Sequence, residues 1–278
     1  MNLDLPRVPI GPTIEATIDF LVEHLAFATR AFSAVADQGL RFLESTMMAV
    51  HPIILVVVAT VLVFFLTRKR GVTVFTFLGL GLIWNIGLWS AAVTTLSLVV
   101  VATLIAIIIG IPLGIISAIS DTVYRIVRPI LDFMQTLPAF VYLIPAIPFF
   151  GLGRVAAIFA TVIFSMPPAI RFTNLGIRQV PKELTECADA FGADRWQKLI
   201  KIQLPLAKTT IMGGVNQTVM LALSMVVIAA MIGAGGLGGE VWRAIQRLQP
   251  GAGFEAGIGI VILAIILDRV LHQLATKD

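Results

Sequence analysis

Five polar side chains interrupt otherwise apolar stretches of this sequence: Gln135, Tyr142, Asn216, Gln217 and Ser224. All are amides or hydroxyls, groups that hydrogen-bond in either direction without carrying charge. The long apolar runs hold few charged residues, so a proton relay or a row of voltage-sensing arginines has little to build on. Two uses of the five remain open. Buried amides can pair between helices, and a line of them can form a polar path for a solute. A zwitterion with a quaternary ammonium suits such a path, since neutral dipoles and aromatic faces pass it without trapping it. Phe140, Phe149 and Phe150 lie close in sequence to Tyr142 but form no recognisable aromatic cage.

Other chemistries lack their residues. No GxxxxGK[ST] phosphate loop occurs, and the run Gly235-Gly236-Leu237-Gly238-Gly239 has neither the lysine nor the strand–helix context of one. The single cysteine, Cys187, excludes an internal disulfide, and His24, His51 and His272 are too dispersed to suggest a metal site. No Ser/His/Asp spacing rises above chance. The chain reads as non-catalytic, with no bound cofactor or metal.

The elements that must position these groups are membrane helices. Of 278 residues, 58% are hydrophobic and only 13% charged, against about 25% charged in soluble domains. The expected fold is all-α and polytopic, with seven spans near 50–67, 72–89, 92–119, 130–151, 154–172, 209–232 and 254–272. The third is longer than a bilayer requires, so it must tilt, bend at Pro112 or protrude. Pro138, Pro145 and Pro148 in the fourth and Pro167-Pro168 in the fifth loosen backbone bonding where helices must rock. Residues 1–49 form an amphipathic tail, with Ile14, Ile18, Leu21, Leu25 and Phe32 near helical spacing and no signal-peptide pattern. Its polar face is more acidic than basic, which argues for a scaffold or partner-contact helix over a lipid anchor. Residues 50–278 are the transmembrane domain. The net charge of +4 accompanies no basic groove with interleaved aromatics, so nucleic acid is not an expected partner; the lipid bilayer is.

One polar connection, 173–208, stands out. Within it Pro181 suits the start of a helix, and Leu184, Ala188 and Phe191 share one face. Gly192 can end that helix, Asp194 can cap a second turn carrying Trp196, Leu199 and Ile200, and Pro205 is expected to stop helix and loop together. If this loop is cytoplasmic, alternation also puts Arg68-Lys69-Arg70, Arg125, Arg128 and the C-terminal tail inside. The basic residues of the N-terminal tail, with Arg154, Arg243 and Arg247, then lie outside. Basic residues are thus in excess on the inner side, with the N-terminus outside and the C-terminus cytoplasmic. The run Gly233–Gly239 falls at the outer end of the sixth span. It reads as a tight turn, either at an external gate or binding-protein contact or at a plain surface.

Glu186-Cys187-Ala188, then Gly192, then Ile202-Gln203-Leu204-Pro205 resemble the "EAA" loop of ABC importer permeases, with matching spacing throughout. Cys187 departs from the family's usual Ala but is small enough to preserve the loop. The alternative is an ordinary amphipathic loop helix resting on the membrane domain. Over most of residues 90–272 the chain also resembles the glycine betaine/proline betaine branch. The stretches that carry this are Gln135–Tyr142 (QTLPAFVY), Pro167–Arg178 (PPAIRFTNLGIR), Gly213–Thr218 (GGVNQT), Ala222–Val227 (ALSMVV), Gly233–Gly238 (GAGGLG) and Ile262–Arg269 (ILAIILDR). The resemblance implies a type I ABC importer permease fold in a bacterial or archaeal plasma (inner) membrane. It further implies coupling through Glu186, Cys187, Ala188, Gly192, Trp196, Ile202, Leu204 and Pro205 to a separate ATPase that uses ATP and Mg. The remaining implied partners are an extracytoplasmic substrate-binding protein and a second permease copy in a homodimer. A permease for choline, carnitine or an amino acid is the alternative within the family. A secondary transporter or channel would need coupling-ion or selectivity elements that the sequence does not offer.

Overall fold

A computed structural model describes residues 9–276; the first eight residues of the expected tail and the last two of the chain lie outside it. No strand occurs among the described residues. The helices are α1 (Ile10–His24), α2 (Ala26–Ala49), α3 (Pro52–Thr67), α4 (Arg70–Asn85), α5 (Trp89–Ile119), α6 (Asp121–Thr136) and α7 (Leu143–Phe150). They continue as α8 (Arg154–Arg178), α9 (Lys182–Ala190), α10 (Arg195–Lys198), α11 (Leu204–Ala229), α12 (Gly236–Gln246) and α13 (Pro250–Thr276). Short 3₁₀ turns cover Ala139–Tyr142 and Ala230–Ile232, and a π turn covers Leu199–Gln203.

The core is built on α5, α8 and α11. Between membrane helices tight association comes from close packing, which small residues permit. Gly114 of α5 lies so near α8 that a Cβ there would stand 2.7 Å from the Ile170 carbonyl oxygen. Gly214 of α11 meets α8 in the same way, 3.0 Å from the Pro168 carbonyl oxygen. Backbones on both sides of α8 therefore nearly touch. Around these contacts Leu98, Ala102, Ala106, Ile158, Ala160, Ala222, Met225 and Val226 are buried, and Ala36 and Leu40 of α2 complete the same cluster.

Three described helical runs are long and apolar enough to cross a membrane: α5, α8 and the run Arg195–Ile232. Up to five qualify when each of two sharply bent helix pairs is taken as one span. One bent pair differs from the expected fourth span at 130–151. Here α6 and α7 meet at 111°. Pro138 is the cause, because it donates no hydrogen bond and holds Leu137 in an extended conformation (ψ 132°). The second pair, α2 with α3, turns through 107° just before Pro52. Pro112, by contrast, is carried inside the 31 residues of α5.

The glycine run after α11 is only partly a turn. Gly233, Gly235 and Gly236 have φ of 93°, 77° and 68°, and α12 begins at Gly236 and contains Gly238 and Gly239. The first turn of α12 is capped from another helix: the Leu237 N–H donates to Thr95 Oγ1 at 2.7 Å. The helix occupies part of the expected turn, and its first turn is tied to α5 by this cap between distant positions.

Candidate functional site

The polar connection folds as a braced helical hairpin. α9 ends in a Schellman arrangement: the Ala193 N–H donates to the Ala188 carbonyl at 3.0 Å and the Gly192 N–H to the Asp189 carbonyl at 3.0 Å. This closure needs the left-handed backbone that Gly192 adopts at φ +74°. Asp194 then opens α10 with a capping box, accepting from the Gln197 N–H at 2.8 Å while its own N–H donates to Gln197 Oε1 at 3.1 Å. Lys198 donates to both Asp189 carboxylate oxygens at 2.6 and 2.7 Å, tying the two helices together. Leu199 is buried beside Ile177 and Ala207, which fixes the hairpin to the ends of α8 and α11.

The outer side of this hairpin is apolar and uncovered. Phe191 is 88% exposed and Trp196 66%, with Leu184 and Ile200 also exposed. Cys187, Ala188, Ile202 and Pro205 come together with Leu184 and Phe191 around an open cleft of about 570 Å³. Glu186 and Gly192 are exposed outside that cleft, Leu204 is half-buried against the Leu199 cluster, and Trp196 lines a second groove against the ends of α5 and α8. Pro205 does not stop the helix. α10, the π turn and α11 run on as one helix, with Pro205 in the first turn of α11. The π turn immediately before it widens the coil where the proline has no N–H to donate and its ring crowds the preceding carbonyls.

The five polar residues of the apolar stretches divide. Tyr142 is buried, donates to the Met134 carbonyl and packs edge-on against Phe164 at 5.6 Å. Asn216 donates to Asp268 Oδ1 at 2.9 Å across α11 and α13. Gln217 and Ser224 are exposed one above the other, two turns apart on α11, and the Ser224 hydroxyl donates to the Met220 carbonyl at 3.1 Å. Gln135 is exposed on α6. The five do not form one cluster.

Two features escaped the sequence reading. Asp268 was absorbed into an apolar span, and only its pairing with Asn216 reveals it. The other is the polar face of α6, where Asp121, Arg125, Arg128, Asp132 and Gln135 recur at helical spacing and all are exposed. That periodicity is visible in the sequence once 121–136 is taken as one helix; division into a loop and a span at 130 hid it. Arg171 pairs with Asp132, and Arg178 donates to Asp121 Oδ1 at 2.7 Å and the Ser117 carbonyl at 3.0 Å. These bonds clamp α6 to α8 and α5.

Residues 110–277 match the family described as "Binding-protein-dependent transport system inner membrane component". The chain is 50% identical to the glycine betaine/carnitine transport permease protein GbuB of Listeria monocytogenes, over 99% of this chain and 98% of the relative. It is 46% identical to the glycine betaine transport system permease protein OpuAB of Bacillus subtilis, over 98% and 96%. Identity to the glycine betaine/proline betaine permease ProW of Escherichia coli is 47%, over 98% of this chain and 76% of the relative. Among solved structures, inward-facing forms of the MetNI methionine ABC transporter superpose with TM-scores of 0.60 and 0.61. They cover 66% and 68% of this chain and 94% and 96% of theirs. At 23% identity that likeness concerns the fold.

Proposed function

This chain belongs to the family of binding-protein-dependent transport system inner membrane components, and from that premise we propose that it is the permease subunit of an ATP-driven importer for glycine betaine/proline betaine-type compatible solutes. The substrate reading rests on one observation. Relatives named for glycine betaine transport match 98–99% of the chain at 46–50% identity, a span that includes the polar residues as well as the coupling loop.

In this reading a separate ATPase hydrolyses ATP with Mg on the cytoplasmic side and seats on the α9–α10 hairpin. The bracing of that hairpin supports the role, because a push on Phe191 or Trp196 has no loose joint in which to dissipate before reaching α8 and α11. A substrate-binding protein delivers solute from outside, and a second copy of the chain completes a homodimeric pore. An N-terminus outside and a C-terminus inside is the orientation that the excess of basic residues on the hairpin's side supports. Gln135, Gln217 and Ser224 are then the polar residues free to meet solute, while Tyr142 and Asn216 act through their protein partners. Alternating access follows when closure of the ATPase dimer displaces the hairpin and reorients the spans.

The test is uptake of labelled glycine betaine into proteoliposomes holding the permease, its co-purifying ATPase and the binding protein. ATP-dependent accumulation is expected. Uptake without ATP, or none with the complete set, would overturn the assignment.

A further inference from the structure

The groove that Trp196 lines, about 670 Å³ between the α9–α10 hairpin and the ends of α5 and α8, shares no lining residue with the apolar cleft around Cys187. Lys182 and Thr185 belong to the groove, on the face of α9 opposite to Leu184, Ala188 and Phe191. Its apolar lining includes Ala118 and Ile119 of α5, Ile177 of α8 and Leu199. Its charged lining is basic throughout: Arg178, Lys182, Arg195 and Lys198, with no carboxylate. Two of these cations are committed, Arg178 to Asp121 and Lys198 to Asp189. Lys182 and Arg195 are exposed, and neither side chain makes a hydrogen bond or ion pair among the described residues.

We propose that this groove seats an anionic phospholipid of the leaflet on the hairpin's side, its phosphate held by Lys182 and Arg195 and an acyl chain laid along α5. The inference stands on the groove itself and not on which solute is carried. A guanidinium and an ammonium with free N–H groups are the natural complement of a phosphate. The exposed indole of Trp196 suits headgroup level, where one edge stays wet. What favours a lipid over an acidic stretch of protein is the continuation of the apolar lining. Leu104, Ile108, Pro112 and Ile116 are exposed at four-residue intervals on α5, and the stripe ends at Ile119 inside the groove. From Leu104 to Ile119 it runs roughly 22 Å, more than half of a hydrocarbon core of ~30 Å. A water-soluble segment would satisfy the two cations and leave that stripe bare, whereas a phospholipid covers both.

The test is native mass spectrometry of the full-chain permease in detergent, titrated with dioleoyl phosphatidylglycerol or with dioleoyl phosphatidylcholine, which has the same chains and no net charge. Wild type should retain phosphatidylglycerol more tightly than phosphatidylcholine. Removal of one cation should weaken that retention about fivefold in Lys182→Gln and in Arg195→Gln, with recovery in Lys182→Arg. Both side chains are exposed and unpaired, so the variants should melt as wild type does. Ile119→Asn, which keeps both cations but makes the lining polar, should also weaken retention. Arg125→Gln, which removes a cation from α6 instead, should not. Equal retention of the two lipids, or wild-type retention in both Gln variants, would overturn the site. Retention that survives Ile119→Asn and is competed away by inorganic phosphate would overturn it too, leaving a site for a free anion. Displacement of the lipid when the co-purifying ATPase binds would give the groove to an acidic segment of that partner, against the proposal.

Discussion

Asn216 Nδ2 donates to Asp268 Oδ1 at 2.9 Å, a bond between α11 and α13 whose two residues stand 52 apart in the sequence. Asp268 is half-buried, so the bond offsets much of what its desolvation costs. Asn216→Leu should therefore lower stability by about 1–3 kcal/mol, read as a lower melting temperature in fluorescence-detected size-exclusion runs. Asp268→Asn, which keeps an acceptor for the Asn216 amide, should lose less. Identical melting of both variants and the wild type would deny the pair a structural role.

Gly192 offers a cleaner probe of the hairpin. A Cβ there meets nothing within 4 Å, so only its φ of +74° restricts substitution. Gly192→Val should cost roughly 1–2 kcal/mol locally, open the Schellman closure and abolish ATPase co-purification without affecting membrane insertion. Gly192→Asn, which tolerates that backbone, should retain the ATPase. Full ATPase capture by the Val variant would show that the hairpin is not the docking element.

Cys187 is an exposed thiol at the rim of the apolar cleft. A maleimide should label it readily in the permease alone and far more slowly once the ATPase is bound. Equal labelling rates in the two states would place the ATPase elsewhere.

The core makes its own prediction. Gly114→Val forces a side chain against the Ile170 carbonyl and should destabilise by about 1–3 kcal/mol or more, leaving little monodisperse protein. Gly81→Ala, where a Cβ meets open space, is the matched control and should behave as wild type.

Legibility in the sequence followed the range of the interactions. The end of α9 and the start of α10 could be read because Gly192 and Asp194 act on groups within five residues. The break at Pro138 was harder, since three prolines in one apolar run are equally compatible with a loosened span, and only packing selects the bend. The cap on the first turn of α12 comes from Thr95, far away in the chain. The pairing of Arg171 with Asp132 and of Arg178 with Asp121 required knowing that α6 lies along α8. Local capping chemistry is written in neighbouring residues, whereas pockets and pairings arise from topology.

The unbroken helix from Arg195 to Ile232 has a mechanical consequence. At 1.5 Å per residue its 38 residues measure roughly 57 Å, more than the bilayer is thick. It is one rod with one tip among the exposed aromatics of the hairpin and the other at the glycine turn leading into α12. It meets α8 closely near its own midpoint, at Gly214, and again toward the hairpin, where Ala207 and Thr210 lie against Gly176. Its far half, with Ala222, Met225 and Val226, is buried in the core, so the hairpin and the centre of the bundle are parts of a single stiff body.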